Sequence, residues 1–131
     1  MGLEINIDEF VQDVLIHMKN AEQFYEWYDK EIGIYPVYIC PSESKSNKFD
    51  FWTDEYILDF GLGYGIIPDN AKEQTLKVEK KMIELCGRKL LYSIHQMSEK
   101  EFWSIYNKEK YNNLRKKYKA KFPNIFDKLK K

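Results

Sequence analysis

The sequence predicts an α+β domain built on one antiparallel sheet, and three observations carry the prediction. Four short apolar segments, rich in β-branched and aromatic residues, are interleaved with two segments whose apolar residues recur at helical spacing. The order of these segments is β-α-β-β-α-β, and further helical stretches follow it. The chain has 131 residues, of which 44% are hydrophobic and 16% aromatic. That is enough to bury one core and too little for two, so residues 1–131 are read as a single domain.

Each element has its own signal. Residues 9–17 (EFVQDVLIH) read as the first strand. Asn20 with Gln23 resembles a capping box, and Ala21, Phe24, Trp27, Tyr28 and Ile32 form a helical stripe that Gly33 closes. Residues 34–40 (IYPVYIC) read as a second strand; Pro36 cannot donate to a ladder, which places it at a sheet edge. Residues 41–54 are polar and read as a loop. Residues 55–60 (EYILDF) alternate, with Tyr56, Leu58 and Phe60 on one face and Ile57 and Asp59 on the other. The glycine-rich stretch and Pro68 end or bend that strand. Asp69 or Asn70, the latter with Glu73, caps a second helix whose stripe is Ala71, Thr75, Val78, Met82 and Leu85, closed by Gly87. Residues 89–94 (KLLYSI) read as a fourth strand. Ser98 and Glu101 form a capping box ahead of Phe102, Trp103 and Tyr106. Tyr111, Leu114 and Tyr118 mark another helix with a core-facing stripe, and residues 124–130 a last short one after Pro123.

This is the ferredoxin-like βαββαβ arrangement, an antiparallel sheet with both crossover helices on one face, plus C-terminal helices. The other face then needs a cover: the tail helices, a second subunit or another domain. Tyr35, Tyr38, Tyr56 and Tyr92 add rings to the sheet, and an uncovered aromatic face would be adhesive, so self-association is expected.

Composition excludes several classes. No apolar run reaches the ~18 residues of a membrane span, and the start of the sequence has neither the basic region nor the apolar stretch of a signal peptide. Two cysteines, Cys40 and Cys86, are too few for a disulfide framework, so a reduced, cytoplasmic protein is expected. The net charge of zero conceals an asymmetry. Residues 1–107 carry 11 Lys/Arg against 19 Asp/Glu, and residues 108–131 carry 10 against 2. The basic tail is read as the solvated side of a helix on an acidic body; contact with phosphates or anionic lipid is the alternative.

No single motif assigns a chemistry. Gly61, Gly63 and Gly65 lack the spacing and the following helix of a dinucleotide fingerprint, and read as a turn or strand distortion. His17, His95, Cys40 and Cys86 show none of the short spacings that anchor zinc. Asp13 and Asp59 sit in strands on faces the pattern does not fix. A carboxylate there is read as hydrogen-bonded or solvent-facing; a general base with a raised pKa is the alternative.

Larger patterns resemble a known family. VQDVLIHM at 11–18, GIYPVYICP at 33–41, Leu91-Tyr92, Glu101-Phe102-Trp103 and Phe122-Pro123 resemble the C-terminal region of the sterol delta-24 reductases (24-dehydrocholesterol reductase, Diminuto in plants). Tyr111, Leu114, Arg115, Lys117 and Tyr118 fit the family's LR-x-KY stretch, and residues 125–128 its close. His17 stands where the family has Pro, and Tyr38 where it often has Trp.

The resemblance implies the cap, or substrate, domain of an FAD-dependent oxidoreductase that reduces a double bond in the side chain of its substrate with hydride from NADPH. The FAD-binding domain has no counterpart in this sequence. The implied cofactor is FAD, held by a missing domain or a separate FAD-binding subunit, with none expected on this polypeptide alone. The candidate cofactor- or substrate-facing residues are Tyr92, His95, Gln12, Asp13, Tyr38 and Asp59, polar or amphipathic groups on the four strands, with Tyr92 and His95 preferred. Two other classes stay open. One is a ferredoxin-like small-molecule-binding dimer without redox chemistry. The other is a nucleic-acid-binding module using the basic tail, which the acidic body opposes, so no nucleic acid is expected.

Overall fold

Alternation along the two central strands decides which side of the sheet is buried. The computed structural model describes residues 10–43, 56–64 and 69–129. Its elements are β1 (Gln12–His17), α1 (Met18–Glu31), β2 (Tyr38–Glu43), β3 (Tyr56–Leu62), α2 (Ala71–Glu84), β4 (Arg88–Lys89), α3 (Glu99–Ile105), α4 (Lys108–Lys117) and α5 (Ile125–Leu129). The expected β-α-β-β-α-β order is present, with helices after it. The strands lie in the order β2-β3-β1-β4, and each adjacent pair is antiparallel.

Val14 and Ile16 of β1 and Phe60 and Leu62 of β3 point to one side. There they join Phe24 and Tyr28 of α1 and Val78 and Met82 of α2 in one core. Because α1 and α2 also touch each other, both lie on that face. Burial of these side chains, each worth about 1.5–3 kcal/mol, is what holds the two helices there.

The ends of the elements show where tertiary contacts overrode local signals. α1 starts at Met18, ahead of the predicted cap, and Asn20 instead donates to the Leu85 carbonyl at 3.0 Å, tying α1 to the end of α2. β2 runs later than predicted, from Tyr38 to Glu43, because its polar second half pairs with Tyr56–Leu58. It is an edge strand, as Pro36 suggested. β3 continues through Gly61 to Leu62, since Gly61 sits in register between Asp13 and Tyr38. The backbone turns away at Gly63, where φ is +88°. Gly87 lets the segment leaving α2 pass against β1: a Cβ there would lie 2.7 Å from the Leu15 carbonyl oxygen. The predicted loop beyond Glu43, residues 65–68, and the outer ends predicted at residues 9, 55 and 130 lie outside the described residues.

β4 is much shorter than predicted. Only Arg88 and Lys89 pair with β1, and Leu91 and Tyr92 form a turn. A buried ion pair redirects the backbone here. Lys89 Nζ donates to Glu79 Oε1 of α2 at 2.8 Å and to the Ile94 carbonyl at 2.7 Å, while Glu79 Oε2 accepts from the Gln96 N–H at 2.9 Å. Burial pushes the Lys89 ammonium below its usual range, and Glu79 opposes that.

The C-terminal helices extend the core past β4. Ser98 and Glu101 form the predicted capping box. Phe102 is fully buried among His95, Tyr106 and Phe126. The Tyr106 hydroxyl donates to the Lys89 carbonyl at 2.6 Å and meets the Lys89 N–H at 3.4 Å. α4 departs from expectation: Tyr111 is half-buried against Trp103, but Leu114 and Tyr118 are exposed. The helix docks through Tyr111 and Arg115, whose guanidinium donates to Tyr111 and to the Phe122 and Pro123 carbonyls.

Candidate functional site

Residues opposite one another in an antiparallel pair point to the same side, so the register defines what the second face of the sheet carries. One row across it is Tyr38, Gly61 and Asp13; the next is Cys40, Asp59, Leu15 and Arg88; the third is Ser42, Ile57 and His17. Leu15 and Ile57 are buried and form an apolar floor. Around it stand two carboxylates, a guanidinium, a thiol and several phenols.

The phenols organise on Asp13. Tyr64 Oη donates to Asp13 Oδ1 at 3.4 Å, and Tyr92 hydrogen-bonds with Asp13 and Tyr64. Partial burial, then these bonds, raise the Tyr92 phenol far above its ordinary value. Tyr38 reaches toward Cys40, which raises its phenol as well. Gly61 makes room for this convergence. A Cβ there would lie 2.9 Å from Tyr64 Cε2 and 3.2 Å from both Asp13 Oδ1 and Tyr38 Cβ. Beside the phenols, Pro36, Val37, Tyr38 and Tyr64 line a groove of about 490 Å³.

Asp59 and Arg88 differ from the rest. Asp59 Oδ1 and Arg88 Nη1 are buried and meet no hydrogen-bond partner among the described residues. Burial, and then the nearby Asp13 charge, push the Asp59 carboxyl up to about 6. A carboxyl in that range exchanges a proton near neutrality, the first requirement of an acid–base group.

The structure divides the six residues singled out from sequence. Asp13, Tyr38, Asp59 and Tyr92 come together on the second face. Gln12 lies on the helix side, fully buried, with Nε2 3.5 Å from the Ile94 carbonyl. His95 is also fully buried, with Nε2 3.0 Å from the Phe126 carbonyl and its ring between Phe102 and Phe126. Sequence reasoning missed Tyr64 and Arg88. Tyr64 sat inside a glycine run read as a turn or strand distortion, so its ring was not weighed. Arg88 alternates with Lys89 and would have been found by starting the strand one residue earlier. Among the described residues no three His, Cys, Asp or Glu side chains converge as a metal set.

Fold and site together define a class: an α+β sheet domain with helices on one face and a phenol–carboxylate cluster beside an apolar groove on the other. Comparison with known proteins gives the particular relatives. The chain is similar to Delta(24)-sterol reductases, as the sequence motifs indicated. It is 27% identical to the Arabidopsis thaliana protein over 92% of its own length, 27% identical to the human protein over 91%, and 30% identical to the rat protein over 91%. It spans about a quarter of the length of these curated relatives. No family model and no solved structure matches it. No described helix is long and apolar enough to cross a membrane.

The donor set on the second face discriminates between charged and uncharged ligands. Two carboxylates, Asp13 and Asp59, repel a pyrophosphate. Flat phenols over an apolar floor, with one guanidinium at the side, suit an uncharged ring system or an apolar substrate.

Proposed function

We propose that this protein is the substrate-side cap of a flavin-dependent reductase that adds hydrogen across a double bond in the side chain of a sterol, with FAD held by a partner domain or a separate polypeptide. This reading is carried by the similarity to Delta(24)-sterol reductases, which extends over nine-tenths of the sequence. The second face of the sheet supports it, since it offers an apolar groove next to groups that hold protons.

FAD, when bound, supplies hydride chemistry that amino-acid residues do not provide. The cap does the rest. Pro36, Val37, Tyr38 and Tyr64 give the sterol skeleton an apolar wall. Leu15 and Ile57 keep water from the floor beneath the reacting bond. Tyr92 and Arg88 are the groups that would approach the flavin ring. His95 acts from behind by fixing the 94–96 segment against α3 and α5.

The test is reconstitution. The protein alone should stay colourless through gel filtration after incubation with FAD. Mixed with an FAD-binding domain of a Delta(24)-sterol reductase, it should support NADPH-dependent loss of a sterol side-chain double bond. Retention of flavin by the protein on its own overturns the division of labour, and a mixture that forms a complex yet reduces no sterol overturns the assigned reaction. The exposed Tyr38, Tyr64 and Tyr92 rings of that face should also draw two copies together, seen as a mass that falls across a dilution series.

A further inference from the structure

Reduction of a carbon–carbon double bond takes two different hydrogens, a hydride on one carbon and a proton on the other. The proposed function names the source of the first and leaves the second open. The cluster on the second face contains a group placed to supply it.

Asp59 is the carboxyl at the centre of this face. Its strand neighbours are Leu15 on one side and Cys40 on the other. Its diagonal neighbours on β1 are Asp13 and His17, and Arg88 lies beyond Leu15 in the same row. Tyr38 stands diagonally on β2 and also lines the groove. Asp13 already accepts from Tyr64. Asp59 Oδ1, by contrast, is buried and meets no partner among the described residues. A buried carboxyl oxygen with nothing bound to it is costly unless the group carries a proton or a ligand covers it.

We propose that Asp59 is the proton donor of the sterol reduction. The Asp59 O–H bond breaks as a C–H bond forms at one alkene carbon. The π pair of the double bond makes that C–H bond, and the hydride of a reduced flavin makes the second at the neighbouring carbon. The sterol gains two electrons and two hydrogens, the flavin is oxidised, and Asp59 is left as a carboxylate. Asp13, bonded to the half-exposed Tyr64 and Tyr92 phenols, leads from solvent toward the spent carboxylate and supports its reprotonation. With its value raised to about 6, Asp59 holds its proton for a useful fraction of the time at near-neutral pH.

The proposal rests on the substrate-side reading above, and the experiment separates the two. The titration of Asp59 is followed by carbon-detected NMR of its carboxyl in the protein alone, then with a sterol bearing a side-chain double bond, delivered from cyclodextrin. Covering Asp59 with sterol should raise its midpoint by about half a unit or more. No sterol binding removes the substrate-side reading and the proposal with it. Sterol binding with an unmoved Asp59 midpoint overturns the proposal and leaves the reading standing. In the reconstituted enzyme, Asp59→Asn should slow sterol-dependent reoxidation of the reduced flavin by about 100-fold or more, with sterol affinity and flavin reduction by NADPH unchanged. Asp59→Glu should restore part of that rate and keep its decline at high pH. Full activity in Asp59→Asn would refute the role.

Discussion

Lys89→Met should cost the domain a large part of its stability. Lys89 is 0% exposed and its partner Glu79 1%. Removing the ammonium leaves the Glu79 carboxylate buried against the Gln96 N–H without its opposite charge, and an uncompensated buried charge of this kind costs about 3–5 kcal/mol. It also strips the 2.7 Å bond from the Ile94 carbonyl, whose contact with Gln12 Nε2 is at 3.5 Å; that adds about 1 kcal/mol. Against the roughly 5–15 kcal/mol that holds a typical domain together, the variant should be marginal. Adding Glu79→Gln removes the charge while keeping an oxygen for Gln96 N–H, and should return stability to within about 1–2 kcal/mol of the parent. Urea unfolding of the four proteins of this cycle, followed by tryptophan fluorescence at pH 7, measures each term. A loss below about 1 kcal/mol for Lys89→Met, or a double variant as damaged as the sum of the two single ones, would refute the reasoning.

Three further outcomes follow from the geometry. The folded-state value of Asp59 is raised from 3.8 to about 6, so the folded state holds that proton more tightly than the unfolded one. Its contribution to stability is fully present below pH 3.8 and is lost as the pH rises toward 6. Screening at a partly open face reduces it to about 1–2 kcal/mol, and Asp59→Asn should flatten that limb of a pH series of thermal melts. Gly87→Ala places a Cβ 2.7 Å from the Leu15 carbonyl oxygen and from Ile16 Cδ1, and should cost about 1–3 kcal/mol in a urea titration; an unchanged midpoint would contradict the close approach of this segment to β1. Ser98→Ala removes the hydroxyl that accepts from the Glu101 N–H at 3.3 Å. It should cost about 0.5–2 kcal/mol and speed amide exchange in the first turn of α3.

Much of the framework was legible because it is local. The stripe from Ala71 to Leu85 and the box of Ser98 with Glu101 are repeats of helical geometry that a single segment can show. The division of β3 into two faces followed from alternation alone, Phe60 falling on one and Asp59 on the other, and the fold then turned the Phe60 face to the helices. What escaped was decided across the fold. β2 takes in Ser42 and Glu43 because β3 offers partners, although neither residue favours a strand. Glu79 lies outside the predicted stripe of α2, yet pairing with Lys89, ten residues on, buries it, and β4 ends at that lysine. The site was half legible for the same reason. Asp13, Tyr38, Asp59 and Tyr92 lie on predicted strands, but the sequence did not say that Asp13 and Asp59 share a face, because that depends on a register between strands more than forty residues apart.

The Tyr106 hydroxyl on the outer side of Lys89 bears on how copies of this molecule can meet. One phenol occupies both backbone groups of that residue, the position a fifth strand would claim. At the opposite border Pro41 has no amide hydrogen to offer, which spoils the other border as a template for added strands. With both rims of the sheet blunted, growth sideways into a continuous ribbon is disfavoured. Any stable companion is left to stack on the broad phenol-bearing surface, where it would cover the groove.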